Sequence, residues 1–226
     1  MIRAQGAADA GTTMPVNQDE RSTAAVRLAE TRARLLDAVV ESLAQGGYAA
    51  TTSHEVARRS GLTRGAQLHH FGTKDRMMLA AVEHLTATTD VGAIAAALDQ
   101  LPDDGDRLRT VLEILVEVFS GPGPAAYVEL WGASRSDAEL ADALRAADTV
   151  ARAAVLSLFG EEILARAGAE FEAVVDLTLY ALRGMALDAH LASEDDVRAR
   201  KALVLGQAKY LEASLTGSDQ HRKAEQ

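Results

Sequence analysis

Apolar residues recur every three or four positions along most of the chain, and this spacing places them on one face of an α-helix. The first such series starts near Ala25 and ends where Gly46 and Gly47 would stop a helix. Its apolar members are Val26, Leu28, Leu35, Leu36, Val39, Val40 and Leu43. The alternation that is typical of strands is absent from the sequence, so the pattern predicts an all-α protein.

After the first helix, hydroxyl residues that can cap helices recur at short intervals. Thr51 to Ser53, Thr63 and Thr73 can each start a helix. The turn Ser60-Gly61-Leu62 separates the first two of these helices, and it has the length and the glycine that are typical of a helix-turn-helix. The predicted order is therefore a long helix, two short ones and another long one.

The remaining sequence predicts further helices, with a clear break at Gly121 to Pro124. The helix predicted for 169–191 is apolar around nearly its whole circumference, which is typical of a helix buried on all sides. Together with the last helix, 194–215, it could complete a four-helix bundle between two subunits, so we expect a homodimer. The other predicted helices are 91–101, one capped by Asp103-Asp104, one carrying Tyr127, Leu130 and Trp131, and one from about Asp137 to Phe159.

The formal net charge of −10 argues at first against a nucleic-acid partner, because DNA is itself an anion. The charge is unevenly distributed, however. Residues 21–88 carry nine Arg and Lys against six acidic residues, a net +3 before four histidines, whereas residues 89–226 carry a net −11. The positive segment is the one with the predicted helix-turn-helix, which is the asymmetry expected of a DNA-binding protein.

Composition excludes several other classes of function. The chain has no cysteine, so disulfides and thiolate metal sites are impossible. Because His69 and His70 are adjacent, they would point about 100° apart on a helix, and Asp103 to Asp106 fit a helix N-terminus better than a metal site, so no metal is expected. We find no catalytic motif, no long apolar run and no secretion signal, and we expect a soluble cytoplasmic protein that is not an enzyme and has no cofactor and no membrane partner.

The segment that runs from Gly47 through Val56 to Gly65 and on to Asp75 resembles the DNA-binding domain of the TetR family. The resemblance keeps the family's order and spacing without a gap, and it covers about residues 25–88. It implies phosphate contacts at His69, His70 and Lys74 and base-edge contacts around Arg64 and Gly65. The sequence departs from the family at Gln67-Leu68, where Leu followed by Tyr is commoner, so which of these two side chains faces DNA stays open.

The residues themselves support a DNA-binding role. Arg64 and Gln67 are three apart and share one helix face, and these residue types pair well with guanine and adenine. Thr52 and Thr63 stand at predicted helix starts, where hydroxyls and free N–H groups can hold phosphate. The predicted DNA-binding residues are Thr52, Thr63, Arg64, Gly65, Gln67, His69, His70 and Lys74.

A ligand cavity is expected between the helices that follow the helix-turn-helix. Its candidate residues are Leu115, Phe119, Tyr127, Trp131, Tyr180, Arg183 and Met185. Arg183 is a charge inside an apolar helix, and it could pair with an anionic ligand or with Asp176, Asp188 or another acid. Because aromatic residues are few, we expect a small lipophilic or weakly acidic effector rather than a flat cationic drug.

These observations predict an all-α chain with an N-terminal three-helix helix-turn-helix domain and a helical ligand-binding and dimerisation domain. Residues 1–22 are expected to be a disordered arm, 23–88 the DNA-binding domain with a linking helix, 89–216 the regulatory and dimerisation domain, and 217–226 a polar tail. The predicted function is a transcription regulator, a repressor that an effector releases from a palindromic double-stranded operator. Activation, a helical small-molecule-binding protein without a DNA-regulatory role and a helical-bundle enzyme are the alternatives.

Overall fold

The computed structural model describes residues 18–88, Ile94, Leu98 and 107–215. In this part of the chain the structure is helical and contains no strand, so the all-α prediction is confirmed. The helices are α1 (Gln18–Ala50), α2 (Ser53–Ser60), α3 (Arg64–Phe71), α4 (Lys74–Ala87), α5 (Arg107–Phe119), α6 (Pro122–Ser134), α7 (Ala138–Leu158), α8 (Glu161–Arg166), α9 (Ala169–Leu187) and α10 (Glu194–Leu205), and residues 208–215 are helical again.

The first helix differs from its prediction at its start. It begins at Gln18, so residues 18–22 of the expected disordered arm are helical. Its end follows the prediction, because Gly47 has φ 78° and ψ 174° and breaks the helical geometry before Ala50.

Threonine caps set the lengths of the next three helices, as the sequence predicts. Thr52, Thr63 and Thr73 precede α2, α3 and α4 in extended conformation. Each hydroxyl accepts a hydrogen bond from the N–H three residues later, at 3.1–3.3 Å, which satisfies one of the free donors of the first turn.

The apolar core has two parts. The first core contains the inward faces of α1 to α4, and it continues beyond residue 88 into α6 and the first half of α7. Accordingly, α1 packs along α6, and α4 packs against α7. The residues that α6 and α7 add to this core are Ala126, Leu130, Leu140, Leu144 and Ala147. The helix-turn-helix region therefore shares a core with the helices that follow it.

The second core lies among α5, the end of α7, α9 and α10. Phe159 and Phe171 meet edge to face at its centre, with ring centroids 5.2 Å apart, and both are buried. This part of the molecule corresponds to the predicted regulatory and dimerisation helices.

Within one chain, the predicted 169–191 helix is buried on one side only. α9 ends at Leu187, and only one face of it enters the second core. Leu177, Tyr180 and Leu187 lie on the opposite face and are more than half exposed. The sequence cannot distinguish the two faces, because both are apolar.

Several sequence predictions lie outside the described residues. They are the arm at 1–17, the helix at 91–101 except for Ile94 and Leu98, the cap at Asp103-Asp104 and the tail at 217–226. Of the helices that the structure describes, none is by itself long and apolar enough to cross a membrane. By length and composition alone, α5 and α6 would pass that test when taken together, and they meet at 67°.

Candidate DNA-binding surface and ligand cavity

The turn between α2 and α3 is held in place by α1. Gly61 adopts the left-handed conformation, with φ 67°, that closes α2. The Ser60 carbonyl accepts a hydrogen bond from Arg34 Nη2 at 2.9 Å, and the Ser60 hydroxyl accepts one from the Leu62 N–H at 3.3 Å. The two short helices and this turn therefore form the predicted helix-turn-helix, and its geometry is fixed by contacts within the first core.

One face of α3 is open to solvent. Thr63, Arg64, Gly65, Leu68 and His69 are all exposed. Within the described part of the chain, Arg64 makes no ion pair, so its guanidinium is free to bind an external acceptor. In contrast, Arg58 and Arg59 of α2 are engaged with Glu55, and their hydrogen bonds lower the pKa of that carboxyl to about 2.

Gln67 does not face the solvent, so the prediction that it binds DNA is wrong. It is only 3% exposed, and its Nε2 donates a hydrogen bond to Met77 Sδ at 3.2 Å. Leu68 is 63% exposed instead. The helix is only two turns long. Which of its side chains are buried depends on how it packs against α4, and the local sequence does not reveal that packing. Of these two residues, Leu68 is therefore the one on the exposed face of α3.

The C-terminal end of α3 borders a groove of about 360 Å³ between α1 and α4. Arg32, His69, His70 and Arg76 line it, so its polar side chains are mostly basic. Burial, together with the nearby charges of His69 and Arg32, lowers the pKa of His70. The two histidine rings are 5.7 Å apart at 76°, and the described residues contain no cluster of three metal-binding side chains.

Lys74 is engaged within the protein. Its Nζ donates a hydrogen bond to the Tyr48 carbonyl at 2.8 Å and lies 4.2 Å from the centre of the Tyr48 ring. Burial lowers the pKa of this ammonium group. The sequence predicted Lys74 as a phosphate ligand, whereas its contacts in the free protein hold the turn between α1 and α2.

Glu129 of α6 holds the same turn from the other side. Its Oε2 accepts a hydrogen bond from the Tyr48 N–H at 2.9 Å, so both backbone polar groups of Tyr48 are bound by charged side chains. A Cβ on Gly47 would lie only 3.0 Å from that carboxylate oxygen. Sequence analysis missed Glu129, because no local signal links residues 81 positions apart.

A cavity of about 220 Å³ lies among α4, α5, α6, α7 and α9, next to the helix-turn-helix region. Of the predicted ligand-binding residues, Leu115, Phe119, Tyr127 and Arg183 line it. The rest of the wall is mostly apolar and includes residues that were not predicted, among them Leu85, Ile114, Val118, Ala151, Val155 and Leu179.

Three predicted cavity residues lie elsewhere, and these predictions are wrong. Tyr180 is 63% exposed on the outer face of α9, and Met185 packs against the second core. On a helix, consecutive residues differ by about 100°, so Tyr180 turns away where Leu179 faces inward. Trp131 packs against the first core, with its ring 4.9 Å from the Arg183 guanidinium.

The polar end of the cavity is built around Asp148, which sequence analysis also missed. Its Oδ1 accepts hydrogen bonds from Arg183 Nη2 at 2.6 Å and from the Tyr127 hydroxyl at 3.1 Å. Burial and the Asp148 charge raise the pKa of Tyr127. This cluster confirms the expectation that Arg183 pairs with an acid.

The two acids named as candidate partners of Arg183 have other partners. Asp176 binds Arg152 at 2.5 Å, and Asp188 binds Arg200 at 2.6 Å. Asp148 is the one acid among the described residues that line the cavity, so the cavity holds a paired positive and negative charge surrounded by apolar walls.

Comparison with known sequences supports the interpretation of the first region. Residues 35–81 match the family of bacterial regulatory proteins named the tetR family. An uncharacterized HTH-type transcriptional regulator of Mycobacterium bovis is 30% identical over 119 residues, which cover 53% of this chain and 60% of that protein. The chain thus spans about 60% of the length of this relative. The expectation that the chain is not an enzyme agrees with these matches.

Comparison with solved structures extends the likeness to most of the chain. SCO4454, a TetR-family transcriptional regulator of Streptomyces coelicolor, has a TM-score of 0.63 and 19% identity, covering 89% of this chain and 98% of that one. The multidrug binding protein EbrR in complex with ethidium has a TM-score of 0.51 and 22% identity, covering 79% and 98%. At these identities the likeness establishes a common fold.

Proposed function

Since residues 35–81 match the tetR family of bacterial regulatory proteins, we propose that the chain belongs to this family and is a repressor controlled by a small molecule. It binds a palindromic operator in the cytoplasm as a homodimer, and an effector in the cavity releases it. The observation that carries the proposal is the exposed face of α3, on which Arg64 has no ion-pair partner among the described residues.

Arg64 is the side chain best suited to read a base. It lies in the first turn of α3, and its planar guanidinium can donate two hydrogen bonds to the O6 and N7 acceptors of guanine. The adjacent Gly65 has no side chain, so the helix backbone can approach the DNA closely. Thr52 and Thr63 are exposed at the N-terminal ends of α2 and α3, where hydroxyls and free N–H groups can bind phosphates.

Two exposed apolar stripes support the proposed homodimer. On α9 and the turn after it, the stripe follows helical spacing through Leu177, Tyr180, Gly184, Leu187 and Leu191. A second stripe, containing Leu203 and Tyr210, runs along α10 and 208–215. Water contact with this much apolar surface is unfavourable, and a symmetric partner that presents the same two helices would cover both stripes.

The charge balance of the cavity favours an uncharged lipophilic effector. Arg183 is already neutralised by Asp148, so a carboxylate ligand would have to displace a buried charged partner. A flat cation would find no unpaired acid among the described lining residues. EbrR, which shares the fold, holds ethidium, which supports a ligand role for this part of the fold but not the same ligand.

The proposal is tested by selecting DNA fragments with the pure protein and measuring its affinity for the selected operator and for random DNA at one salt concentration. Arg64→Ala should weaken operator binding by about 1–3 kcal/mol and random binding by less, because a base contact is lost. Arg198→Ala, which removes an exposed arginine from α10, is the matched control and should change neither affinity. Equal losses for both DNAs would show that Arg64 contacts only phosphate, and selection of no DNA would refute the proposed function.

A further inference from the structure

Leu68 is exceptional on the surface of the helix-turn-helix region. It is the one large apolar side chain of residues 35–88 that is more than half exposed. The other large apolar residues of α2 to α4 are buried in the first core or packed against it. An isolated exposed leucine is common on protein surfaces, so its position on the helix decides whether it matters.

That position is the centre of the surface proposed to face the operator. Leu68 follows Arg64 by four residues, so the two side chains lie on the same face of α3, one turn apart. Gly65 and Ala66 lie between them and present little side chain. When Arg64 is in the major groove, Leu68 is therefore brought to the DNA as well.

The chemistry of the groove limits what Leu68 can contact there. Leucine has no hydrogen-bond donor for a phosphate, and covering a phosphate or a polar base edge with it would remove water without replacing the lost hydrogen bonds. Among the four bases, the apolar group on the major-groove edge is the 5-methyl group of thymine. A contact with that methyl group removes apolar surface from water on both partners.

We propose that Leu68 is a specificity-determining residue that reads the 5-methyl group of a thymine in each operator half-site. The proposal rests on the DNA-binding function proposed above. Four residues of helix span about 6 Å, and base pairs are about 3.4 Å apart. The thymine therefore lies within about two base pairs of the guanine that Arg64 contacts.

Deoxyuridine provides the test, because it differs from thymidine only by lacking this methyl group. Each thymine of the selected operator is replaced in turn, symmetrically in both half-sites, and the dissociation constant is measured for the wild type and for Leu68→Ala. For the wild type, one symmetric pair of replacements should weaken binding by about 15-fold, or roughly 4-fold per methyl group. Leu68→Ala should bind the thymine operator more weakly and should be insensitive to deoxyuridine at that pair.

Matched variants distinguish a loss of methyl-group recognition from a loss of folding and from a loss of the Arg64 contact. Leu68→Met keeps an apolar side chain and should retain the sensitivity, and Arg64→Ala should also retain it while losing the guanine preference. 5-Methylcytosine in place of cytosine at the same position should restore part of the affinity, because it supplies the methyl group. Since Leu68 is exposed, Leu68→Ala should leave the melting temperature unchanged.

The possible failures are distinguishable. If the wild type selects no DNA, the proposed function itself fails. If the wild type binds an operator but no deoxyuridine replacement weakens binding, or if Leu68→Ala keeps the same sensitivity at the same position, the assignment to Leu68 is overturned while the regulator function stands.

Discussion

The polar groups in and beside the two cores of the molecule have different surroundings. In the first core, polar side chains are bound to fixed partners inside the protein: Thr51 to Ser42, Gln67 to Met77, and the backbone of Tyr48 to Glu129 and Lys74. Beside the second core, α5, α7 and α9 leave a cavity of about 220 Å³, with the ion pair of Arg183 and Asp148 at its edge. The contacts of the first core favour a single geometry, whereas the region beside the second core has space for a small molecule.

α6 takes part in both the first core and the wall of the cavity, so it links the two regions. Ala126 and Leu130 pack in the first core, whereas Tyr127 faces the cavity and binds Asp148. Two residues further on, Glu129 binds the Tyr48 N–H in the turn before α2. A ligand that displaces Tyr127 would therefore act on the same rigid helix that holds the helix-turn-helix.

The largest expected effect distinguishes the second core from the exposed stripes. Leu211→Asp places a charge at a fully buried position and should cost more than about 4 kcal/mol, so the protein should fail to fold. Leu203→Asp, in the preceding helix, alters a side chain that is 72% exposed, so it should keep the fold and convert the proposed dimer to a monomer. Circular dichroism with light scattering checks both, and a folded, monomeric Leu211→Asp variant would contradict the division between core and interface.

A smaller effect is expected at the link between the two regions. Glu129→Ala removes the acceptor of the Tyr48 N–H and should destabilise the protein by about 1–3 kcal/mol, because a partly buried donor loses a charged partner. Operator affinity should fall with it, since the turn before α2 is no longer fixed. Urea unfolding and gel-shift measurements check both effects.

Two variants serve as controls for this link. Glu129→Gln retains an oxygen acceptor and should recover most of the loss, and Glu117→Ala, which removes an exposed carboxylate from α5, should change neither property. If Glu129→Ala lowered stability but left operator affinity unchanged, the link would be structural without any role in regulation.

The features that could be predicted from the sequence are those that depend on neighbouring residues. The caps at Thr52, Thr63 and Thr73 and the turn at Gly61 require only a hydroxyl or a glycine at the right local position. The resemblance to the TetR family adds the order of these elements. The existence of a cavity next to them could also be predicted, because the following helices carry more apolar residues than one core needs.

What could not be predicted is which of two adjacent residues faces inward. Gln67 and Leu68, and likewise Leu179 and Tyr180, differ by one position and about 100° of rotation, and tertiary packing decides between them. The ion-pair partners of charged groups could not be predicted for a related reason. Asp148 lies 35 residues from Arg183, and nothing in the chain between them marks the pair.

The smallest expected effect concerns Gln67, the polar member of the first core with the weakest partner. Its amide donates to a thioether sulfur, which is a poor acceptor, so a buried amide is held at little gain. Gln67→Leu should replace this group with apolar surface and stabilise the protein by about 0.5–1 kcal/mol, seen as a small rise in melting temperature. Because the side chain faces Met77 rather than the open face of α3, the sequence preference of DNA binding should not change. Gln67→Glu is the control, since a buried carboxylate should destabilise strongly. A changed base preference in Gln67→Leu, without a change in stability, would place this side chain at the DNA and contradict its assignment to the core.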